Sequence, residues 1–511
     1  MPKLPLISTG AAGPSFGRPD VLLTRGLEAY ENGNVERAVE LFRQILRIDP
    51  INTGAMNALG AVAGQSGDLL TAIQQLENSL RINPNQQTTW YNHGLTLQRI
   101  GMLRESLTSF DRALSIDSSY GEARLQRAIS LTDLGRYQES LADYAEAERL
   151  MPNDPITVKQ LAMSLQWTGQ YDPALKEFDR SIALKPDHAE AWIGKAFLLM
   201  LLGDLPGGFS LYEWRWRLDA WLSAPRRLQR TYPMPLWLGE TSIEGKTILV
   251  YAEQGFGDEI QFCRYATLVA RLGARVILQA SETLKNLMMT LPGPSEVISD
   301  TETMPVHDLC CPMMSLPLAL GTTLETIPGD VPYLHADPAR ATLWGRRLSG
   351  LRGRRVGLVW GAGSRVGDSA MVAIEQRKSL PFRMLNPLAN VAGCSFISLQ
   401  LGPAATQAMS DPGDMTLLDL TGDIKDFADT AALMQNLDLV ISVCTSTAHL
   451  AGALGKPVWL LNRFDTDWRW FLDREDSPWY PTMRIFRQPK PGDWASVVQN
   501  VVTALREFVA P

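Results

Sequence analysis

A period of 34 residues runs through the N-terminal part of the chain and constrains the fold more than any other feature of the sequence. One set of positions at this spacing carries only glycine or alanine, and a second set carries only glycine. The first set is Gly26, Gly60, Gly94, Ala128, Ala162 and Ala196, and the second is Gly33, Gly67, Gly101, Gly135, Gly169 and Gly203. A repeat of this length is one supersecondary unit, so this part of the chain must be a stack of similar units.

Two further columns indicate what each unit is. Large side chains keep the same spacing, and so does a proline that serine replaces once. These residues are Phe42, Leu76, Phe110, Tyr144, Phe178 and Tyr212, with Pro50, Pro84, Ser118, Pro152 and Pro186. Small residues where two helices touch, a turn glycine between the helices and a proline at the exit are typical of tetratricopeptide repeats.

We therefore predict an α superhelix, a tetratricopeptide solenoid, over residues 21–222. A single helical hairpin cannot bury its apolar face alone, so neighbouring hairpins stack, and the concave side of such a stack binds an extended polypeptide. This predicts a protein partner for the repeats. A rigid spacer or a dimerisation surface is the alternative, because the fold does not fix the function.

Composition excludes several classes of protein. The chain has 511 residues, of which 45% are hydrophobic and 20% are charged, which is typical of a soluble globular protein with several domains. A net charge of -7 without a long basic run argues against nucleic acid as a partner. No apolar run is long enough to predict a membrane span. Five cysteines without a Cys-x-x-Cys pair fit a reducing compartment, so we expect a cytoplasmic protein.

The remaining segments are assigned from local pattern. Residues 1–20, which proline and glycine interrupt, predict a flexible leader, and residues 223–240, rich in arginine and proline, predict a linker. Alternating strand and helix signals follow in residues 241–350 and again in residues 351–511. Two strand-and-helix lobes with one cleft between them are the simplest architecture for this pattern.

The most informative stretch of the second lobe runs from Val440 to Asn462 and predicts a strand, a helix and a second strand. In a parallel α/β sheet, ligands bind where a strand ends and the next helix begins. The small residues from Cys444 to Thr447 lie at that position, where an anion would bind. His449 shares a helix face with Thr445 and Ser446. A buried unit with a core histidine is the alternative.

The first lobe carries a glycine-rich turn between a predicted strand, Lys246 to Tyr251, and a predicted helix, Glu259 to Leu272. Gly255 and Gly257 allow the backbone to turn sharply, and Asp258 then stands at the N-terminus of the helix. Capping of the helix alone would explain this aspartate.

Several motifs in both lobes resemble one family of enzymes. They run from Pro235 to Trp237, Glu253 to Asp258, Gln261 to Phe262, Arg264 to Tyr265, Ser398 to Gln400, Asp419 to Gly422, Asp426 to Thr430, Thr447 to Gly452, Asp467 to Trp470, Ser477 to Pro481 and Phe486 to Gln488. Together they resemble bacterial tetratricopeptide proteins that carry a glycosyltransferase domain of the GT-B fold, an α/β fold of two Rossmann-like lobes. That domain is similar to heptosyltransferases and, more distantly, to O-linked N-acetylglucosamine transferases. Flagellin-modifying glycosyltransferases share this layout.

The resemblance implies a role for each lobe. The first lobe would face the acceptor, and the second would hold the nucleotide sugar. Asp258 would be the general base that takes a proton from the acceptor hydroxyl, and His449 would hydrogen-bond the departing phosphate. The residues implied to bind the donor are Gly255, Gly257, Trp360, Gly361, Lys378, Gln400, Cys444, Thr445, Ser446 and Thr447.

The resemblance implies neither a metal nor another cofactor. Helix amides beside Ser446 and Thr447 would stabilise the charge of the leaving nucleotide without a cation. Asp465 and Asp467 imitate the Asp-x-Asp pattern with which other glycosyltransferases hold a divalent ion. They lie among arginine and tryptophan residues, a poor setting for a hard cation that needs oxygen ligands.

Two places depart from the family pattern. Cys444 stands where the family usually has aspartate, and the loop from Gly361 to Gln376 lacks the usual asparagine-containing sequence. A thiol carries no fixed charge at neutral pH. The helix field would lower its pKa, whereas burial would raise it.

Together with the repeats and the composition, the resemblance thus implies a cytoplasmic, metal-independent protein O-glycosyltransferase that modifies Ser or Thr of a polypeptide recruited by the repeats. Flagellin is the acceptor that the resemblance suggests. Two alternatives stay open: a non-catalytic scaffold with a degenerate lobe, and a heptosyltransferase-like enzyme that acts on a glycolipid. The sequence also leaves open the sugar, the nucleotide, the stereochemical outcome and the oligomeric state.

Overall fold

The computed structural model describes most of the chain, over residues 18–218, 234–363, 369–411 and 413–510. Most of the predicted leader and much of the predicted linker lie outside the described residues, as do residues 364–368 of the predicted loop. The chain divides into two compact units. The first comprises Met1–Pro186 with Gly367–Ala373, and the second comprises Asp187–Val366 with Ile374–Pro511.

Paired helices follow the predicted period. In the first unit they are α1 (Pro19–Glu31), α2 (Val35–Ile48), α3 (Thr53–Ser66), α4 (Leu69–Ile82), α5 (Gln87–Arg99), α6 (Leu103–Ile116), α7 (Gly121–Asp133), α8 (Tyr137–Leu150), α9 (Pro155–Trp167) and α10 (Tyr171–Leu184). A sixth pair, α11 (Ala189–Leu201) and α12 (Leu205–Tyr212), belongs to the second unit. The predicted helical solenoid is confirmed.

The columns of the repeat have the structural roles that the sequence predicts. The glycines between paired helices adopt positive φ, for example 78° at Gly33 and 95° at Gly203, which favours glycine over other residues. Small residues of the first column face the large residue of the partner helix. A Cβ atom added to Gly94 would lie 2.6 Å from the ring of Phe110, which is fully buried. The absence of a side chain therefore lets the two helices approach each other closely.

The α/β region of the second unit begins with a four-stranded parallel sheet. Its strands are β1 (Thr247–Tyr251), β2 (Arg275–Ala280), β3 (Glu296–Ser299) and β4 (Leu309–Pro312), in the spatial order β3-β2-β1-β4. Its helices are α13 (Phe256–Phe262), α14 (Arg264–Arg271), α15 (Glu282–Met288) and α16 (Leu316–Ala319). β1 is an inner strand of this sheet. Its carboxyl end leads into the turn that carries Gly255 and Gly257.

The prediction of a single helix from Glu259 to Leu272 is wrong. The structure has two helices, α13 and α14, which are separated at Cys263. The first of them begins at Phe256, because the Asp258 carboxylate accepts a hydrogen bond from the Gly255 N–H at 3.1 Å and caps the first turn.

A six-stranded sheet follows, and it is also parallel. Its strands are β5 (Arg354–Val359), β6 (Cys394–Ser398), β7 (Leu417–Leu418), β8 (Leu439–Val443), β9 (Val458–Asn462) and β10 (Met483–Arg487), in the order β10-β9-β8-β5-β6-β7. The helices of this region are α17 (Pro338–Arg347), α19 (Thr406–Ser410), α20 (Phe427–Gln435), α21 (Ser446–Ala453) and α22 (Trp494–Val509). Helix α18 (Ser369–Arg377) begins in the segment that belongs to the first unit and ends in the second. Every residue of β8 and β9 is buried, as expected for inner strands that are covered on both faces.

The sequence predicts a loop from Gly361 to Gln376, but helix α18 begins at Ser369 within this stretch. Its alanine, methionine, glutamate and glutamine residues favour a helix, and this local preference explains the difference. Among the helices of the described residues, none combines the length and the apolar character that crossing a membrane requires.

Arg215 fixes the last helix pair to the four-stranded sheet. It lies in a 3₁₀ turn, Glu213–Arg217, that follows α12, and its guanidinium is fully buried. It donates hydrogen bonds to Glu213 at 2.6 Å, to Glu253 at 2.9 Å and to the Ser315 hydroxyl at 2.7 Å. Burial raises the pKa of Glu253 to about 7, although Arg215 opposes the rise. Since Glu253 follows β1, this network ties the sixth helix pair to the same turn that carries Asp258.

Candidate functional site

The N-terminus of α21 forms the centre of the candidate site. It follows β8 directly, as the sequence predicts. Thr445 is the residue that precedes the helix, and its hydroxyl lies 3.3 Å from the Ser442 hydroxyl. Ser446 and Thr447 open the helix and are half-buried. The backbone N–H groups of this first turn therefore point toward the carboxyl edge of the sheet, where a negatively charged group is favoured.

His449 lies on the next turn of α21 and is held from two sides. Its imidazole Nδ1 is 2.9 Å from the Tyr480 hydroxyl, and its ring stacks on the Trp470 ring with centroids 5.3 Å apart. Its side chain is nearly enclosed, with 5% of the residue exposed. Burial, with the positive charge of Arg469, lowers the pKa of His449 to about 3. The imidazole is therefore neutral at ordinary pH, and its Nε2 has no hydrogen-bond partner among the described residues.

Cys444 also contacts Trp470. The indole N–H donates a hydrogen bond to the Cys444 Sγ at 3.2 Å. Burial and the nearby Asp467 carboxylate raise the pKa of the thiol, although Lys378 and Arg463 oppose the rise. Of the two opposing effects expected from the sequence, burial prevails, and Cys444 is a neutral thiol.

Asp258 caps α13, as its alternative role predicts, and it is also one half of an ion pair. One carboxylate oxygen accepts from the Gly255 N–H, and the other accepts from the Arg469 guanidinium at 2.6 Å. A quarter of its side chain is exposed, at 25%. The carboxylate is thus fixed in direction and still reaches the surface.

Arg469 joins α13 to the segment that contains Asp467. Besides Asp258, it donates to the Gln261 side chain at 2.7 Å and to Asp467 at 3.1 Å, and it packs over the Trp468 ring at 4.3 Å. Burial opposes the ionisation of Asp467, but Arg469 overcomes this effect and the pKa of Asp467 is lowered. Each charge is therefore compensated by an opposite charge or a hydrogen bond.

Helices α13 and α21 meet at Gly257. A Cβ atom added to Gly257 would lie 3.1 Å from His449 Cδ2, 3.6 Å from His449 Nε2 and 3.6 Å from Ser446 Cα. A side chain at this position would crowd the His449 ring. It brings the helix of Asp258 against the helix of His449, although these two residues are far apart in the sequence.

A second group of predicted residues fixes the carboxyl end of β5. The Gln400 side chain accepts hydrogen bonds from the Trp360 N–H at 3.0 Å and the Gly361 N–H at 2.8 Å. The Trp360 ring is fully buried against Phe382, with ring centroids 4.6 Å apart. The polar groups that these residues would offer to a nucleotide-sugar donor are therefore already hydrogen-bonded within the protein.

Positive side chains surround the Asp-x-Asp pair. Asp465 pairs with Arg377 at 3.2 Å and with Arg463 at 3.6 Å, and Asp467 pairs with Arg469. Lys378 is half-buried, and no ion-pair partner is described for it. In the described ranges, no three His, Cys, Asp or Glu residues are grouped so that they could hold a metal ion. Asp465 and Asp467 therefore both form ion pairs with arginine side chains.

The second unit also has a groove of about 610 Å³ between β10, α22 and the preceding loop. Its lining residues are Asp473, Arg474, Glu475, Arg484, Ile485, Phe486, Arg487, Asn500, Thr503, Ala504 and Glu507. None of the residues predicted to bind the donor or to act in catalysis lines this groove. Of the predicted residues, Gly257, Asp258, Ser446 and His449 instead lie at the packed contact between α13 and α21.

Sequence reasoning missed three residues that hold this contact: Arg469, Tyr480 and Arg264. All three lie inside the motifs that carry the resemblance, but no role followed from their types. Arg469 is 211 residues from Asp258, so no local pattern pairs the two. The available signal was the unusual density of tryptophan, tyrosine and arginine from Asp467 to Pro481.

The repeat region matches known families. Tetratricopeptide repeat families match residues 23–86 and 160–213 in one case and residues 85–151 in another. The N-terminal solenoid is built of tetratricopeptide repeats. The matched residues make up less than half of the chain, and they do not include the two parallel sheets.

One curated relative extends further. Protein FlbA from Caulobacter vibrioides (strain ATCC 19089 / CIP 103742 / CB 15) is 28% identical over 361 residues. The match covers 65% of this chain and 57% of FlbA. The chain is therefore similar to FlbA but spans little more than half of its length.

Several solved structures match about a third of this chain. The crystal structure of MamA is 18% identical, with a TM-score of 0.30, and covers 32% of this chain and 96% of that chain. YrrB, described as a TPR protein with an unusual peptide-binding site, is 21% identical, with a TM-score of 0.30 and coverage of 33% and 88%. PilW, described as a type IV pilus biogenesis factor, is 20% identical, with a TM-score of 0.36 and coverage of 38% and 90%.

The neutral state of His449 makes a prediction about acid stability. The free imidazole has a pKa of 6.5, and the folded protein lowers it to about 3, so between these values the unfolded chain binds a proton that the folded chain does not. The contribution of His449 is present above pH 6.5 and is lost as the pH falls towards 3. As the pH falls from 6.5 towards 3, we expect the free energy of unfolding to decrease less steeply in His449→Gln than in the wild type. The slopes should differ by at most about 1.4 kcal/mol per pH unit.

Urea unfolding at several pH values between 4 and 7, followed by tryptophan fluorescence, measures this difference. His335→Gln, at an exposed position, is the matched control. Equal slopes in the wild type and His449→Gln would show that His449 takes up its proton in the folded state.

Proposed function

We propose that this protein is a metal-independent glycosyltransferase with a GT-B architecture. It transfers a sugar from a nucleotide-sugar donor to Ser or Thr of a polypeptide that the tetratricopeptide repeats recruit. The observation that carries the proposal is the contact at Gly257. It places the helix of the candidate base, Asp258, against the helix whose N-terminus and His449 would bind the donor phosphate.

The electrostatics of the site support an anionic donor. The N-terminus of α21 offers backbone N–H groups at Ser446 and Thr447, and such a terminus favours a phosphate. Lys378 adds a positive charge that has no ion-pair partner among the described residues, whereas Arg377 and Arg469 pair with Asp465 and Asp467. A nucleotide phosphate would be attracted to this charge.

Asp258 suits the role of base in its geometry. The hydrogen bonds from Gly255 and Arg469 hold the carboxylate in one orientation, and each carboxylate oxygen keeps a further lone pair. An acceptor hydroxyl within hydrogen-bond reach could give up its proton to this group. The Arg469 guanidinium at 2.6 Å also compensates the negative charge of this carboxylate.

The repeats would supply affinity for the polypeptide acceptor, since stacked helical hairpins bind extended chains along their concave side. A flagellin is the acceptor that the motif resemblance suggests. A heptosyltransferase-like enzyme acting on a glycolipid would have no use for such repeats.

A non-catalytic scaffold is the second candidate, and two observations favour it. Cys444 replaces an aspartate at the donor site, and the polar groups of Trp360, Gly361 and Gln400 are bonded to one another. In a scaffold the repeats would still bind a partner, but the α/β region would no longer bind a nucleotide sugar.

Donor binding separates the two candidates. We expect one member of a panel of nucleotide sugars, with uridine, guanosine, adenosine and cytidine bases, to stabilise the intact protein. At about 100 times its dissociation constant a ligand adds about 2.7 kcal/mol, which is measurable as a shift in thermal unfolding. Ser446→Trp, which fills the N-terminus of α21, is the control and should abolish the shift. A panel without any stabilising member would support the scaffold.

Asp258→Asn tests the base. The asparagine keeps an oxygen that can cap α13 but cannot accept a proton, so turnover should fall by about 10²- to 10⁴-fold while donor affinity stays within a few-fold. Asp467→Asn is the matched control, since it removes the other carboxylate from Arg469 and leaves the base in place. The measurement is release of the nucleotide from the identified donor in the presence of acceptor. Full activity of Asp258→Asn would assign the base to another residue.

Cys444→Asp tests whether the donor site has changed or decayed. The Trp470 N–H would donate to the new carboxylate, but the added charge would lie beside Asp467 and the donor phosphate. We expect Cys444→Asp to weaken binding of the native donor, and Cys444→Ser, which is neutral and of similar size, to retain it. Equal or tighter binding by Cys444→Asp, measured by titration calorimetry, would indicate a decayed site.

A further inference from the structure

Tyr480 lies in the motif from Ser477 to Pro481, to which the proposed function assigns no role. The residue is fully buried, and its ring packs directly against Gly452 on α21, where an added Cβ atom would lie 2.6 Å from the ring Cγ. Its hydroxyl is 2.9 Å from the Nδ1 of His449. Tyr480 therefore contacts the same helix twice, once through its ring and once through its hydroxyl.

A buried arginine lies behind Tyr480. Arg264 donates to the carbonyl oxygens of Pro328 at 2.8 Å and Trp479 at 2.7 Å, and to the Tyr333 hydroxyl at 2.7 Å. Its guanidinium lies 4.1 Å from the centre of the Tyr333 ring and 4.7 Å from that of Tyr480. These partners are neutral, so the cation acts on both phenols and makes their hydroxyl groups better proton donors.

The hydrogen bonds of Tyr333 restrict those of Tyr480. The Tyr333 hydroxyl accepts from Arg264 and donates its single proton to the carbonyl oxygen of Ile260 at 2.9 Å. It has no proton left for Tyr480. The proton of Tyr480 must therefore go either to the Nδ1 of His449 or to a lone pair of the Tyr333 oxygen.

The imidazole is the better acceptor of the two. A neutral imidazole nitrogen is more basic than a phenol oxygen, and the Tyr333 oxygen is already polarised by the bond from Arg264. Tyr480 thus donates to Nδ1, and the single proton of the neutral imidazole resides on Nε2. This is the nitrogen that faces Gly257 and the first turn of α21, where an added Gly257 Cβ atom would be 3.6 Å away.

We infer that Tyr480 is a positioning residue that fixes His449 in the tautomer with its proton on Nε2. A neutral, buried imidazole then presents an N–H donor beside the amides of Ser446 and Thr447. The ligand group that this set recognises is an oxygen acceptor with negative charge, such as a phosphate, and not a hydroxyl that must lose a proton. The identity of the ligand rests on the proposed function, whereas the tautomer does not.

The tautomer can be measured in the intact wild-type protein. The chain has five histidines, so nitrogen-15 labelling of histidine gives a spectrum in which a difference from His449→Gln identifies the His449 signals. We expect the Nδ1 of His449 to resonate as an unprotonated nitrogen and the Nε2 as a protonated one. A protonated Nδ1 would overturn the positioning role of Tyr480, whatever the enzyme activity.

Tyr480→Phe removes the hydroxyl and keeps the ring that packs on Gly452. We expect the His449 signals to shift towards a mixture of tautomers, and the affinity for inorganic pyrophosphate to fall by about 3- to 10-fold, the worth of one hydrogen bond. Tyr333→Phe is the matched control, because it removes a hydroxyl from the same cluster without touching His449, and it should retain both the tautomer and the affinity.

The outcomes separate this inference from the proposed function. An unchanged tautomer in Tyr480→Phe would overturn the role of Tyr480 and leave the donor site untouched. A wild-type protein that has the expected tautomer but does not bind pyrophosphate would instead overturn the phosphate ligand, and with it the proposed donor site.

Discussion

The ion pair between Arg469 and Asp258 is the interaction on which the candidate site depends. A guanidinium that is almost fully buried is tolerated only when its charge and its donors are matched. Arg469 is matched by the Asp258 carboxylate and the Gln261 amide of α13, and by the nearby Asp467 carboxylate. The start of α13 is thereby fixed to the turn after β9. Without Arg469, Asp258 and Asp467 would be left as two negative charges without their common partner, and the contact of α13 with α21 at Gly257 would lose its support.

Burial, together with nearby cations, explains why His449 is neutral in a site that favours anions. Burial disfavours the imidazolium, and Arg469, Arg264 and Lys378 add to this effect. The positive potential therefore comes from arginine and lysine side chains, while the neutral histidine would orient an anion through one hydrogen bond. An anion would be attracted over a wide pH range, and its binding would not depend on protonation of the histidine.

Local pattern predicted much of the fold and of the candidate site, and long-range pairing accounts for what it missed. The helix pairs, the turn glycines and the strand, helix and strand around Ser446 follow from short-range periodicity and from the preferences of single residues. The break at Cys263 does not follow from such patterns, because the residues on both sides of it are helical. The partners of Asp258 and His449 could not be predicted, since Arg469 and Tyr480 reach them through the tertiary fold, and arginine and tyrosine have many alternative roles.

Trp470 couples the departure at Cys444 to the state of His449. Its indole N–H donates to the Cys444 thiol, and its ring stacks on the His449 imidazole. A carboxylate at position 444 would accept the same N–H bond more strongly, and its charge would favour the protonated form of the stacked histidine. It would also oppose a phosphate at the N-terminus of α21. A neutral thiol does neither, so Cys444 is compatible with an intact anion site in which His449 acts as a neutral hydrogen-bond donor.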